Sequence, residues 1–558
     1  MTRGESEPAP PRRSSLPAGG FIHLHHLFDD LSWLWLLGVG VLVLLTYRDY
    51  GIIWDAEVQN QYGQKLLAYY LSGFQDRSAF AFQNLYLYGG AFDLTAAALN
   101  LVSPLGEYET RSLLGGLVGL LGLVGCWRLA RLLGGERAGF FALLLLTLTP
   151  DYYGHMPINP KDAPFAVGMI WCLYLSCRSL AELPRPRLAT VLGLGLALGL
   201  TLGTRVGGVL AGFYLGAGLA AYLALLGHNG ASWPEVGRTA ARLARAYLPA
   251  LLVAYPVMGF FWPWSVLEPL NPLRALEIFS HFTWPNTVLA AGVTFKATDP
   301  PLWYLAWMLM VKLPELVLAG LGLVVWCGLR RIVAWRRDRE HRLTLDHDGL
   351  WRLQQAVVVL AALFPIGYFL AARPEVYNGI RHFLFIVPPL AVLAGLGFDR
   401  LWRALDTAPR LAGRLALGAF TAAVVIQAWI MMALHPNQYI YYNALVGGVR
   451  GADGRYELDY WGTSLAEAAA DLAAFVHDQD GGRPPPRPYK VLVCAHPESA
   501  MYFLPKEFEL TRSIPEGDFF IGLTLTGCND SVDGKPIGRV ERFGAVLSVI
   551  KDRRDRAR

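Results

Sequence analysis

The sequence predicts a polytopic α-helical membrane protein with about eleven transmembrane helices and a small α/β domain outside the membrane near its C-terminal end. Three observations carry that expectation. The 558 residues are 54% hydrophobic, with mean hydropathy +0.34 and only 17% charged residues, against about 25% charge in soluble proteins. Apolar runs of roughly 17–25 residues, each long enough to cross a bilayer, recur along most of the chain. The segments between those runs are basic in alternation, as the positive-inside rule requires.

Spans are expected near 31–47, 111–132, 136–150, 163–181, 187–204, 207–226, 246–264, 302–329, 353–372, 382–398 and 413–434. With a cytoplasmic N-terminus, the inside segments collect Arg3, Arg12 and Arg13, then Arg131 and Arg137, then Arg178, Arg185 and Arg187, then Arg238, Arg242 and Arg245. The strongest cluster follows, with Arg330, Arg331, Arg336, Arg337, Arg339 and Arg342, and after it Arg400, Arg403, Arg410 and Arg414. Eleven spans then put the C-terminal part outside. The net charge of +5 sits in loops, so it argues for membrane orientation and not for nucleic-acid binding.

The expected organisation has three parts. Residues 1–30 form a disordered cytoplasmic tail, since Met1–Ala18 is rich in Pro, Ser and Arg and lacks an apolar signal core. Residues 31–434 form the membrane domain, with a first outer loop over 48–110. Residues 435–558 form the outer α/β domain. Within it Thr463–His477 has a helical apolar period, Tyr489–Cys494, Phe519–Thr526 and Ala545–Ile550 read as strands, and Gly481–Pro488 is a proline-rich connector. Of the six cysteines, Cys126, Cys172, Cys177 and Cys327 lie in spans as small apolar residues. Cys494 and Cys528 share the outer domain, where a disulfide and two free thiols are both open readings.

The chemistry-bearing candidates gather in the outer segments. Carboxylates crowded beside a bilayer are costly unless they meet a proton, a metal or a substrate. Asp55 and Glu57 follow the first span, and one of them can act as general base while the other positions the chain or caps a helix over 58–71. A second polar loop runs from Asp151 through His155, Asn159 and Lys161 to Asp162. Asp162, followed by Ala163-Pro164, competes for a helix-capping role; Lys161 either meets a phosphate or balances Asp162. One His among scattered acids is a weak metal signal, and neither a metal nor another cofactor is expected. Arg205, Lys296 and the pair Arg381-His382 stand at outer span ends, against the positive-inside bias. There they either clamp a lipid phosphate or snorkel to headgroups. The aromatic stretch Tyr255–Trp264 reads as an interfacial belt.

Trp54-Asp55-Ala56-Glu57, Asn159-Pro160-Lys161-Asp162, Tyr377–Pro389 (YNGIRHFLFIVPP), His435–Gly448 and Glu457–Trp461 together resemble the GT-C glycosyltransferases. The similarity is to the bacterial branch holding protein O-mannosyltransferases and lipid A aminoarabinose transferases, the family-39/83-like proteins. Relatives often carry adjacent Asp-Glu where this chain has Asp-Ala-Glu. The resemblance implies an inverting transferase of the EC 2.4 type in the bacterial inner membrane. Its donor would be a polyprenyl-phosphate-linked sugar and its acceptor a glycan, lipid or protein. Asp55, Glu57 and Asp162 would be catalytic, and Lys161, Arg205, Lys296, Arg381 and His382 would hold the donor phosphate. A secondary transporter is the main alternative, but it should show mid-span charges and repeated halves. An outer-leaflet glycan polymerase or ligase should show a large Arg- or His-rich late loop, whereas 263–301 holds only Arg274, His281 and Lys296.

Overall fold

In the computed structural model, residues 26–281, 284–337 and 345–555 are described. The expected tail lies largely outside them, as do Arg339 and Arg342 of the basic cluster. The membrane part begins with α1 (Leu27–Thr46), which leads into a loop and α2 (Ala56–Leu71) and α3 (Ala91–Asn100). Next come α4 (Glu107–Gly134), α5 (Glu136–Thr147), α6 (Pro150–Ile158), α7 (Asp162–Ala181), α8 (Leu188–Leu202), α9 (Val209–His228) and α10 (Trp233–Phe261). Two short helices, α11 (Trp264–Leu267) and α12 (Asn271–Ser280), precede an antiparallel hairpin of β1 (Thr287–Ala290) and β2 (Val293–Lys296). The remaining helices of this part are α13 (Tyr304–Lys312), α14 (Glu315–Arg337), α15 (His347–Ala372), α16 (Val387–Leu405) and α17 (Arg410–Leu434).

Every expected span is helical, but not every one is long. Among the described residues, eight helices are long and apolar enough to cross a membrane, or nine if a bent pair counts as one. The expected spans 136–150 and 187–204 are helices of 12 and 15 residues, about 18 and 22 Å at 1.5 Å per residue, short of a ~30 Å hydrocarbon core. The expected span 302–329 is the bent pair, α13 and α14 meeting at 117°. Pro314 sits in the break, where it has no N–H to continue a helix. The protein is thus a multi-pass membrane protein built around α16, whose apolar window is 89% buried, while that of α17 is 11% buried and faces outward.

The arginines at one end of the bundle are tied down by acids. Arg131 makes two hydrogen bonds to Asp29 at 2.7 and 2.6 Å. Arg137 reaches Asp399 at 2.9 Å and Asp406 at 3.1 Å, and Arg403 closes on Asp399 at 2.7 Å.

After α17 the chain turns through α18 (Gly448–Ala452) into α19 (Ser464–Asp480) and a five-stranded sheet. The strands are β3 (Tyr489–Cys494), β4 (Phe508–Leu510), β5 (Phe519–Leu523), β6 (Lys535–Arg542) and β7 (Ala545–Asp552), with α20 (Glu498–Met501) after β3. Their order is β4-β3-β5-β7-β6, with β3 parallel to β4 and β5 and the other pairs antiparallel. Leu465, Ala468, Ala469, Leu472 and Val476 of α19 pack on Val491, Phe519 and Ile521 of the sheet. Cys494 and Cys528 are joined as a disulfide across a Cα separation of 6.2 Å. Trp54, from the loop after α1, packs on this same core. Its approach depends on two glycines. A Cβ at Gly51 would stand 2.3 Å from the Thr463 carbonyl, and one at Gly462, where φ is +70°, would stand 2.7 Å from the Trp54 indole nitrogen. The first loop is therefore clamped between bundle and sheet domain.

Candidate active site

Asp55 closes that clamped loop and begins α2, but its carboxylate caps nothing. The loop holds the side chain 46% exposed, with Oδ2 3.6 Å from Nη1 of Arg381. Arg381 is 8% exposed, and its guanidinium lies over the rings of Tyr377 and Trp461 at 4.8 and 5.0 Å. The turn before it is set by Asn378 and Gly379, at φ +58° and +68°. Asn378 takes this left-handed conformation as short polar side chains tolerate. His382 packs edge-on against Tyr377 at 4.5 Å.

Asp162 lies on the other side. The Asn159 side-chain oxygen accepts the backbone N–H groups of Lys161 and Asp162 at 3.1 and 2.8 Å, so Asn159 performs the capping that the sequence offered to Asp162. That frees the Asp162 carboxylate, 4% exposed, to pair with Arg205 at 2.6 Å and accept the Asn159 amide at 3.1 Å. Tyr88 sits between the cations. Lys161 Nζ lies 4.3 Å and Arg205 Cζ 5.7 Å from its ring centre. With the Gln59 amide oriented to satisfy both neighbours, its nitrogen donates to Asp93 at 2.7 Å and its oxygen accepts from Lys161 at 2.8 Å. Burial holds Lys161 below the usual lysine range, and Asp55 opposes that fall. Three cations (Lys161, Arg205, Arg381) thus meet two carboxylates (Asp55, Asp162), which leaves one positive charge uncompensated. The Nε atoms of Arg205 and Arg381 are buried without a hydrogen-bond partner. Such a site suits an anionic group with several oxygens.

The remaining sequence candidates fall elsewhere. Glu57 faces the sheet domain, accepting from Gln61 at 3.0 Å and pairing with His496 at 3.6 Å. Asp151 and His155 are not loop residues. They lie on α6, which starts with Pro150 in its first turn, and are 1% and 0% exposed. Asp151 pairs with Lys312 at 3.3 Å, and burial pushes its carboxyl up to about 6 against the pull of that lysine. His155 bridges Tyr460 at 3.1 Å and Asn159 at 2.8 Å, and burial holds its imidazole down at about 3, so it is neutral. The Asn159 amide faces Nδ1, which places the proton on Nε2. Lys296 ends β2 and is exposed, and no hydrogen bond or ion pair among the described residues ties it to the cluster. Trp262, assigned to the interfacial belt, is fully buried and donates to the Tyr86 carbonyl at 2.8 Å.

Tyr88, Gln59 and Lys312 belong to none of the motifs that the sequence offers. Lys312 had a readable signal, a single lysine in the apolar run Leu302–Leu313, where a buried charge needs a partner. It donates to the Tyr439 carbonyl at 2.8 Å as well as pairing with Asp151. No signal marked Tyr88 or Gln59.

A clamped acidic loop over a buried cationic cluster, on a multi-pass bundle with an appended sheet domain, defines a membrane enzyme-like site. The family model described as dolichyl-phosphate-mannose-protein mannosyltransferase matches residues 107–260. Among solved structures, ArnT from Cupriavidus metallidurans in the apo state is similar at 16% identity and TM-score 0.50, covering 94% of this chain and 98% of that one. The same protein bound to undecaprenyl phosphate gives 14% identity and TM-score 0.48 over 93% and 97%. The apo oligosaccharyltransferase of Archaeoglobus fulgidus gives 14% and 0.46 over 84% of this chain and 63% of that one. No curated protein matches in sequence. The match to apo ArnT shows the fold: this chain has a GT-C, ArnT-like architecture, and the family match falls within its membrane part.

Proposed function

We propose that the protein is an inverting glycosyltransferase that moves a sugar from a polyprenyl-phosphate-linked donor to an acceptor at the outer face of the bacterial cytoplasmic membrane. In this orientation the N-terminus is cytoplasmic and the sheet domain external. The observation that carries the reading is the convergence of Lys161 and Arg205 on Tyr88, with buried Arg381 paired beside them to a half-exposed Asp55. The donor phosphate lies among the three cations. Asp55 takes the proton from the acceptor hydroxyl, whose oxygen attacks the anomeric carbon from the face opposite the phosphate. The bond from that carbon to the phosphate oxygen breaks, and its electron pair leaves with the lipid phosphate, whose added charge the cations stabilise. Asp162 orients Arg205 and does not meet the acceptor.

One observation favours a second reading. Asp151 and Lys312 form a buried ion pair beside a broken apolar helix, an arrangement that transporters use. Both side chains are 1% exposed, however, which gives a transported ion no route to them. Membranes carrying the wild-type chain, Asp55→Asn or Arg381→Gln, incubated with a panel of radiolabelled polyprenyl-phosphate sugars, test the proposal. Transfer or donor hydrolysis by wild type, with loss in both variants, is the expected result. No turnover of any donor by folded wild type refutes it.

A further inference from the structure

A cavity of about 160 Å³ lies between α14, α15 and α16, bounded on one side by Leu133 near the end of α4. It arises from the way the helices meet. α14 and α16 touch where a Cβ at Gly397 would stand 2.2 Å from the Gly320 carbonyl oxygen, and one at Gly320 would stand 2.8 Å from the Ala394 carbonyl oxygen. About two turns further along α14, a Cβ at Gly328 would meet nothing within 4 Å, so the helices have parted there. Other contacts hold the ends level. The Trp351 indole donates to the Leu133 carbonyl at 2.7 Å, and Arg403 donates to the Gly134 carbonyl at 3.0 Å. The start of α15 and the ends of α4 and α16 thus form one layer, the same end of the bundle at which Arg131 and Arg137 meet their acids.

The cavity is apolar in its depth and polar towards that basic layer. Val324, Leu393 and Leu396 wall the deeper part, and Gln355 and Arg400 stand nearer the layer. Nε2 of Gln355 is buried without a hydrogen-bond partner, so it calls for an acceptor. Asp399 and Asp406, the acids nearest Arg400 along the chain, are taken by Arg137 and Arg403. The Arg400 guanidinium carries five N–H donors, enough to keep the interaction it already makes and to meet an incoming oxygen. Val359, also in the wall, is 37% exposed, which opens the cavity sideways to the membrane.

We infer that this cavity is a berth for an anionic phospholipid, with one acyl chain between α14 and α16, the ester carbonyl at Gln355 and the phosphate at Arg400. Basic pockets between membrane helices suit such headgroups. No carboxylate lines the cavity among the described residues, so the ammonium of a zwitterionic head finds no partner there. The volume takes roughly six carbons of the chain, since an apolar cavity of about 150 Å³ holds a benzene molecule, and the rest of the chain leaves past Val359. The donor of the proposed transfer is a different amphiphile at a different place. Its phosphate lies with Lys161, Arg205 and Arg381, before α16 begins, whereas Arg400 is about 20 Å further along that helix.

Photolabelling of the full-length protein in phosphatidylcholine nanodiscs tests this. The probe is phosphatidylglycerol with a diazirine near the ester end of one acyl chain, and peptide mapping is the readout. Labels are expected within 324–328, 355–359 and 393–396, displaced by unlabelled phosphatidylglycerol and not by a polyprenyl phosphate. Gly328→Leu fills the cavity without striking a neighbour and should abolish the labelling. Gln355→Leu and Arg400→Gln should each cut it about tenfold, the equivalent of one hydrogen bond to a charged group. Gly322→Leu, on the same helix but outside the lining, should label like wild type. Four results would each overturn the inference: labels spread over the outward face of α17, cavity labels that survive Gly328→Leu, displacement by a polyprenyl phosphate ahead of phosphatidylglycerol, or equal labelling by a phosphatidylcholine probe. Should Gly328→Leu fail to fold, undiminished labelling of both Gln355→Leu and Arg400→Gln overturns it instead.

Discussion

Asp55 and Asp162 are both acids of the cluster, and their surroundings predict that neutralising them has different consequences. Asp55 is 46% exposed on its side chain and makes one ion pair, at 3.6 Å, of the kind worth about 0–1 kcal/mol. Asp55→Asn should therefore leave the unfolding temperature nearly unchanged. Losing the general base should slow transfer by about 10²- to 10⁴-fold. Asp162 is 5% exposed on its side chain and sits 2.6 Å from Arg205. Asp162→Asn strands a guanidinium whose remaining neighbour is the Tyr88 ring at 5.7 Å. Breaking a buried pair from one side costs about 3–5 kcal/mol, so this variant should lose both activity and thermal stability. The assay is single-turnover transfer from a polyprenyl-phosphate sugar, run beside thermal unfolding in the same detergent. The assignment fails if Asp55→Asn at native unfolding temperature keeps more than about a tenth of the rate, or if Asp162→Asn unfolds like wild type.

Glu457 is half-buried where it accepts the Leu289 and Asn378 N–H groups at 3.4 and 3.3 Å, and desolvation raises its carboxyl from 4.5 to about 7. The folded protein thus binds this proton more tightly than the unfolded chain, so its contribution is full below pH 4.5 and fades as pH rises to 7. The loss is roughly 3 kcal/mol, and Glu457→Gln should flatten the decline of unfolding temperature between pH 5 and 8. Lys312→Met should destabilise by about 3–5 kcal/mol by orphaning Asp151, and Asp151→Leu added to it should recover much of that loss; additive losses in the double variant would contradict the pairing. Glu57→Gln should keep the transfer rate within about threefold, because only a half-exposed pair with His496 is lost. A collapse in rate matching Asp55→Asn would make Glu57 the base.

How far the site was legible depended on where each partner lay in the chain. The helices followed from apolar runs because a span must satisfy its own backbone, so the signal is local. The fracture at Pro314 was also local, written in Lys312-Leu313-Pro314-Glu315, but a count of apolar residues averages over it. The strands β4 and β6 escaped notice for a similar reason. Phe508–Leu510 is three residues long, and Lys535–Arg542 carries Pro536 and Gly538, which mask an edge strand.

What the sequence could not hold is the identity of a distant partner. Asp151 and Asp162 look equivalent as two acids flanking one polar segment. They diverge because α6 turns Asp151 towards Lys312, while α7 turns Asp162 towards Arg205. Burial acts on both, and the partner then separates them: Lys312, at the break between α13 and α14, ties one acid into the bundle, and Arg205 over Tyr88 places the other in the cationic cluster. Asp55 and Glu57 separate by the same logic. Gly51 and Gly462 let the first loop press on the sheet domain, and that contact commits Glu57 to His496 and leaves Asp55 beside Arg381. Under the proposed transfer, the sheet domain, by holding the loop, would select which carboxylate takes the acceptor proton.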